Sequence, residues 1–403
     1  MNSPLNDYFA TLEQTGKQVL AGAHLLPLSP QHNPADSENF AEIYQEWVAA
    51  LQQDPAALAR FQREYIDEHL LIMQRIFSGE KQEAPPDKRF AGAEWREVPA
   101  FNYLSQSYLA TARLFLKSID ELKLDPERKQ RMRFFAKQYM DAISPSNYLA
   151  TNPEALKLAV ETKGESLNVG LQNLKADMDK GYISMTDEAA FEVGKNIAVT
   201  EGSVVFENEV FQLIQYKPLT ETVYTRPLLI VPPCINKFYI LDMRPENSLV
   251  RYAVEQGNTV FVVSWRNVKE GQGNLTWDHY IADGVIKAID VARLISNSHK
   301  INALGFCIGG TLLTCGLAVL EAMGEDVVES LTLLAAFLDF SDVGEIAAYV
   351  DQPFVEKRER EVGHGGVVPG SELAFAFASL RANELVWNYV VNNYLKGETP
   401  PAF

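Results

Sequence analysis

Cysteine is scarce, three in 403 residues. That excludes a disulfide-stapled scaffold and suits a reducing compartment. Basic charge is in deficit: 36 Lys and Arg stand against 53 Asp and Glu, a net charge of −17. So acidic a surface argues against broad non-specific binding of nucleic acid and keeps a folded chain soluble. Long apolar runs are missing too. The longest nearly uncharged stretch of helical character, Ile308 to Leu320, is too short to span a bilayer. The start, Met1-Asn2-Ser3-Pro4, has neither the basic n-region nor the apolar h-region of a secretory signal. No Cys-x-x-Cys or histidine cluster accompanies the cysteines, so no metal is expected. Gly271 and Gly273 lack the spacing and strand context of a nucleotide loop. These absences predict a cytoplasmic protein with no membrane span and no nucleic-acid partner. Core-forming material is ample, with 47% hydrophobic and 10% aromatic residues against 22% charged. This excludes a disordered, collagen-like or coiled-coil chain, and the length fits about two domains.

The first part reads as helix. Ile43, Trp47, Leu51, Leu58, Phe61, Tyr65, Leu70 and Ile76 recur at helical spacing from Phe40 to Phe77, and Ser78-Gly79 and Pro85-Pro86 stop the run. An early helix is expected from Leu5 to Leu26. Further amphipathic patterns cover 100–122, 126–143, 153–162 and 164–178, with Asn152 as an N-cap before Pro153. Residues 1–190 are therefore expected to be all-α. The period then changes. Val204-Val205-Phe206 and Val210 to Tyr216 alternate like a hairpin, and Leu228 to Val231 is apolar throughout, as a buried parallel strand should be. Helix is expected over Pro245–Gln256, Trp277–Ser296 and Gly309–Met323. Strands are expected over Thr259–Ser264, Ile301–Phe306 and Leu331–Ala335. Such alternation over 191–342 predicts an α/β fold on a parallel sheet. Residues 343–403 are helical and loop-rich.

The strongest chemical signal is Gly305-Phe306-Cys307-Ile308-Gly309-Gly310, after a strand and before a helix. It is a nucleophile-elbow pattern with Cys in the place usually held by Ser. The turn strains the nucleophile and leaves no room for bulky neighbours, hence the flanking glycines. The helix N-terminus favours the thiolate, and the Ile308 amide points toward an oxyanion. A lone Gly-x-Cys-x-Gly can also be a buried core thiol; the strand-then-helix context favours the elbow. Cys315, two turns on, reads as core. Cys234 lies just past the first buried strand, where an α/β-hydrolase places its second oxyanion donor. We assign that donor to the Ile235 amide and treat the Cys234 side chain as a bystander.

These residues resemble a known family. Pro232-Pro233-Cys234-Ile235-Asn236-Lys237-Phe238-Tyr239-Ile240-Leu241-Asp242, Val263-Ser264-Trp265-Arg266-Asn267 and the elbow itself are similar to hallmarks of class I polyhydroxyalkanoate synthases. So are Ser144-Pro145-Ser146-Asn147, Thr151-Asn152-Pro153-Glu154 and Val386-Trp387-Asn388-Tyr389. The likeness runs from about Asp87 to Phe403. It implies an α/β-hydrolase fold after a helical domain, and a cap or lid insertion beginning in 343–403. It also implies an acyltransferase that polymerises (R)-3-hydroxyacyl-CoA, chiefly 3-hydroxybutyryl-CoA, with Cys307 carrying the growing polyester as a thioester. The implied partners are a second copy in a homodimer and phasin-type proteins on a cytoplasmic polyester granule. No cofactor is implied, since coenzyme A arrives as part of the substrate.

The partners of Cys307 are the weak point. In this fold the triad runs nucleophile, acid, base along the chain. Only His364 follows Cys307, in a charged, Gly-rich loop with no strand before it. That setting suits an exposed loop histidine better than a base. Asp339 reads more as a helix cap than as the acid. Lys237, Arg244, Arg266 and Lys269 could contact phosphate or be solvated charges. The resemblance places the catalytic Asp and His beyond the cap, so the expectation is a C-terminally truncated synthase with its acid and base beyond Phe403 and little turnover alone. A thioesterase or lipase-like hydrolase of the same fold, and a non-catalytic truncated chain, are the alternatives.

Overall fold

The computed structural model describes residues 34–78, 87–350 and 352–402. The expected helix at 5–26 lies outside the described residues. The chain divides into two compact units. One comprises residues up to 187 together with 344–352 and 369–403; the other comprises 188–343 with 353–368.

The first unit is helical. The run predicted from Phe40 to Phe77 is two helices, α1 (Pro34–Gln53) and α2 (Pro55–Phe77). Pro55 has no amide to extend the ladder of α1, and Asp54 starts a new helix by accepting the Ala57 amide at 3.1 Å. After α3 (Pro99–Asp120), the same Asx-Pro device opens α4 (Pro126–Ala142) and α5 (Pro153–Glu161), capped by Asp125 and Asn152. α6 (Glu165–Lys180) follows. Trp47, Phe90, Trp95, Phe115, Ile119 and Met132 form one buried cluster. Inside it the Trp47 indole donates to Ser118 Oγ at 2.9 Å, which removes the cost of burying its N–H.

Residues 369–403 pack within this unit, which differs from a division at 190 and 342. The reason is an apolar face. Trp387, Val390 and Tyr394 on the π-helical stretches Asn383–Trp387 and Val390–Leu395 cluster with Ile183 and Ala378. Polar contacts fix the register. Tyr394 Oη donates to the buried Asp177 at 2.7 Å, and Arg89 donates to Asn383 Oδ1 at 2.9 Å while pairing with Asp87 at 2.7 Å. Burial raises the Asp87 pKa, but the bonds and charge of Arg89 outweigh it and hold the carboxyl below its ordinary range. Asp141, bonded by Asn383 Nδ2, is pushed up by burial.

The second unit is built on a six-stranded sheet of order β1-β2-β4-β3-β5-β6. Its strands are β1 (Gly202–Glu207), β2 (Phe211–Tyr216), β3 (Leu228–Val231), β4 (Val260–Trp265), β5 (Ile301–Phe306) and β6 (Val328–Leu334). β1 and β2 form an antiparallel hairpin that continues antiparallel onto β4, while β4, β3, β5 and β6 run parallel. β3 is apolar at every position because both faces are covered. Leu229 and Val231 join Val285, Ile289, Leu312 and Leu313 on one side; Ile230 meets Val250 and Val254 on the other.

Three boundaries differ from the sequence reading. β6 begins at Val328 rather than Leu331. It is the edge strand and largely exposed, so Glu329 and Ser330 carry no buried-strand pattern. The segment 245–256 is a 3₁₀ turn, Pro245–Asn247, then α7 (Leu249–Glu255). Ser248 divides them, accepting the Arg251 amide at 2.8 Å and donating to the buried Asp242 at 2.6 Å. The helix at 277–296 contains a π-helical stretch, Tyr280–Ile286, before α8 (Lys287–Ser296). α9 (Ile308–Ala322) follows β5. The result is an α/β-hydrolase type of layering, a largely parallel sheet with helices on both faces.

Candidate active site

The site is built where β5 turns into α9. Cys307 occupies the junction with φ 52 and ψ −131, a backbone conformation unusual for a non-glycine residue. Its amide donates to Leu334 O of β6 at 2.8 Å, and its carbonyl accepts from Gly310 at 2.9 Å. The strained residue is thus held from the neighbouring strand and from its own helix. The glycines are needed for space. A Cβ on Gly305 would lie 2.4 Å from Gly310 Cα, and one on Gly309 would lie 2.3 Å from Val231 O and 2.4 Å from Pro232 O. The thiol is half-buried at the carboxyl edge of the sheet. Ile308 is the first helical residue, and an amide at that position has no intrahelical acceptor.

The loop after β3 lies beside this turn. β3 and β5 are in parallel register up to Val231 level with Gly305, two residues before Pro233 and Cys307. Asn236 N closes a turn on Pro233 O at 3.2 Å, a bond in which the Ile235 amide takes no part. Ile235 itself is exposed. Cys234 packs against the central core, and burial pushes its thiol pKa up, with the nearby Cys307 charge adding to the rise.

Two features lay outside the sequence reading of the site. Trp265, at the end of β4, donates from Nε1 to the buried Pro232 O at 2.8 Å, which ties the loop after β3 to the sheet. Its ring packs at 5.5 Å from Tyr280, and a Cβ on Gly284 would lie 2.8 Å from it. Asp242 is 2% exposed and gathers the Thr200 and Ser248 hydroxyls on Oδ1, each at 2.6 Å. The available signal was the chemistry of burial: an indole N–H or a carboxylate taken out of water costs free energy unless it is hydrogen-bonded.

The weighed acid and base candidates lie elsewhere. Asp339 Oδ1 accepts the Ser341 amide at 2.9 Å in an exposed local turn, and that bond lowers its pKa. His364 is exposed in the loop after the helix Gln352–Val362. Among the described residues neither bonds to Cys307, nor does any other histidine or carboxylate. His279 caps its own helix, its Nδ1 accepting the Thr276 amide at 3.1 Å. His69 stacks on Tyr65. Among the described residues no three His, Cys, Asp or Glu side chains are grouped to hold a metal, and no helix is long and apolar enough to cross a membrane.

Comparison with known proteins extends this picture. Residues 86–253 match the model of the poly-beta-hydroxybutyrate polymerase (PhaC) N-terminus, and residues 227–403 match that of the alpha/beta hydrolase fold. The poly(3-hydroxyalkanoate) polymerase subunit PhaC of Cupriavidus necator is 51% identical over 363 residues, 88% of this chain and 62% of that protein. The subunit PhaC of Rhizobium meliloti is 36% identical over 412 residues, 97% of this chain and 66% of that protein. The poly(3-hydroxyalkanoate) polymerase of Methylorubrum extorquens is 41% identical over 327 residues, 80% of this chain and 54% of that protein. The chain therefore spans less than two thirds of the length of these relatives. These matches lead to one assignment: the chain belongs to the poly(3-hydroxyalkanoate) polymerase (PhaC) family.

Proposed function

We propose that this chain carries the nucleophile of a polyester-forming acyltransferase acting on (R)-3-hydroxyacyl-CoA. The observation that carries the proposal is Cys307, held at positive φ between glycines that admit no side chain. In the first step the Cys307 thiolate attacks the thioester carbonyl. The tetrahedral oxyanion is met by the amides of Ile308 and Ile235, and coenzyme A leaves as its thiolate. Exchange of one thioester for another is close to thermoneutral. In the second step the 3-hydroxyl of another acyl unit attacks the enzyme thioester. An ester forms, the C–S bond breaks and the hydroxyl proton is transferred to a base. No cofactor is required, because coenzyme A is itself the activating group. Homodimerisation, phasin-type partners and a place on cytoplasmic granules are carried over from the family resemblance as part of the proposal.

The test is acyl capture. The purified chain is incubated with 3-hydroxybutyryl-CoA, released thiol is followed with a chromogenic disulfide, and the protein is digested for mass mapping. The expected result is about one equivalent of coenzyme A released and a hydroxybutyryl adduct on Cys307, both lost in Cys307→Ser. Adduct on Cys234 or Cys315 would overturn the assignment. Continuous release of free hydroxy acid without polymer would favour the hydrolase alternative.

A further inference from the structure

We propose that Cys234 and Cys307 are a redox pair: a peroxide closes a disulfide between them that blocks the nucleophile, and a dithiol reopens it. The geometry comes from the sheet. Val231 of β3 is level with Gly305 of β5, and two residues beyond that pair stand Pro233 and Cys307. Cys234 is the next residue, in a turn that folds back on Pro233 O. Adjacent strands lie about 4.7–4.9 Å apart, and a disulfide needs Cα atoms roughly 4.4–6.8 Å apart. The two loops are also pressed together. The Gly309 Cα lies so near the Val231 and Pro232 carbonyls that a methyl group would not fit between them. Trp265 holds Pro232 O at 2.8 Å from the other side. Cys315 lies two turns along α9, away from this junction, and serves as an internal control.

The chemistry assigns different roles to the two sulfurs. Burial and the neighbouring charge keep Cys234 a thiol, while Cys307 sits half-buried at the head of a helix. Peroxide oxidises Cys307: an S–O bond forms, the O–O bond breaks, and one water leaves with a sulfenic acid on Cys307. The Cys234 sulfur then attacks that sulfur. The S–S bond forms, the S–O bond breaks, and the hydroxyl leaves as water with the Cys234 proton. Each disulfide consumes one peroxide and two thiol protons. Reduction by a dithiol returns both thiols.

The experiment uses the full 403-residue chain. After brief exposure to hydrogen peroxide it is denatured, alkylated with N-ethylmaleimide and weighed intact, with and without dithiothreitol, then digested. The expected result is loss of alkylation at two of the three cysteines, full recovery with dithiothreitol, and one linked peptide joining Cys234 to Cys307. In Cys234→Ser, Cys307 is expected to proceed to sulfinic acid, which dithiothreitol does not reverse. The proposal is overturned if wild-type Cys307 reaches sulfinic acid while Cys234 stays alkylatable. It is equally overturned if the linked peptide contains Cys315 or joins two chains. The readout is mass, not acyl transfer, so its failure leaves the proposed function standing and the reverse also holds.

Discussion

Gly309→Ala tests the elbow most sharply, because two effects of opposite sign compete there. Gly309 is the second residue of α9, with no positive φ to protect. On helix propensity alone, alanine would stabilise the chain by about 1 kcal/mol. The structure opposes this. The new methyl would sit 2.3 Å from Val231 O and 2.4 Å from Pro232 O. Both obstacles are backbone atoms, so no rotamer change relieves them, and either the loop after β3 or the start of α9 must move. Overpacking of this kind costs about 1–3 kcal/mol, and the upper part of that range applies where the neighbours are rigid. The net expectation is a loss of about 1–2 kcal/mol, read as a fall in Tm of roughly 2–8 °C. On the proposed function the same shift would also displace the Ile235 amide, and loss of one oxyanion donor slows acyl transfer by about 10²–10³. Thermal unfolding and single-turnover acylation of Cys307 are measured together. Gly316→Ala on the same helix is the control, since its nearest neighbour is a side-chain atom, Val285 Cγ1, at 3.0 Å. A Tm for Gly309→Ala that equals or exceeds wild type, with acylation unchanged, would refute the packing argument and with it the close approach of the two loops.

The remaining expectations are shorter. Trp265→Phe keeps most of the ring but leaves the buried Pro232 carbonyl without its donor, so urea unfolding should show a loss of about 1–3 kcal/mol. Leu229→Ala, at a fully buried position of β3, should cost about 2–5 kcal/mol by the same assay. Asp87 titrates below its ordinary value of 3.8 when folded, so it adds stability above that pH and loses it as the pH falls through the lowered folded value. Asp87→Asn should therefore flatten the acid limb of the stability curve below pH 3.8, seen by urea melts across a pH series. An unchanged acid limb would mean that the pairing with Arg89 contributes no net stability.

What the sequence made legible follows from which physical signals are local. The β3 tetrad Leu228-Leu229-Ile230-Val231 announces burial on two faces by composition alone, and Gly305 and Gly309 announce crowding around Cys307. The helix break at Asp54-Pro55 was equally local, yet the apolar spacing of Leu51, Leu58 and Phe61 continues across it and masks it. The sequence pattern shows only the end of β6, because an edge strand need not be apolar: Glu329 and Ser330 are exposed and leave no buried-strand pattern. The π-helical stretch at 280–286 was illegible, since it reflects long-range packing: Gly284 lies against the ring of Trp265, nineteen residues earlier in the chain.

The same distinction explains why the elbow could be read and its surroundings only partly. An elbow is a six-residue event, forced by strain and crowding within one turn. The placement of the loop after β3 is a register event: it comes beside the elbow because Val231 pairs with Gly305, a relation between residues 74 positions apart that no window along the chain reveals. Trp265 and Asp242 are one step further removed. Neither is adjacent to Cys307 in the strand register, and their hydrogen bonds fasten the two ends of the segment that contains Ile235, one from the sheet at Pro232 and one from the far end through Thr200 and Ser248. On the proposed function, pinning at both ends, with turn bonds such as Asn236 to Pro233 between them, holds the Ile235 amide in a fixed direction. It follows that changes at Trp265 and Asp242 should alter the rate of Cys307 acylation without touching substrate, whereas truncation of the exposed Ile235 side chain should not, because what that residue contributes is its backbone.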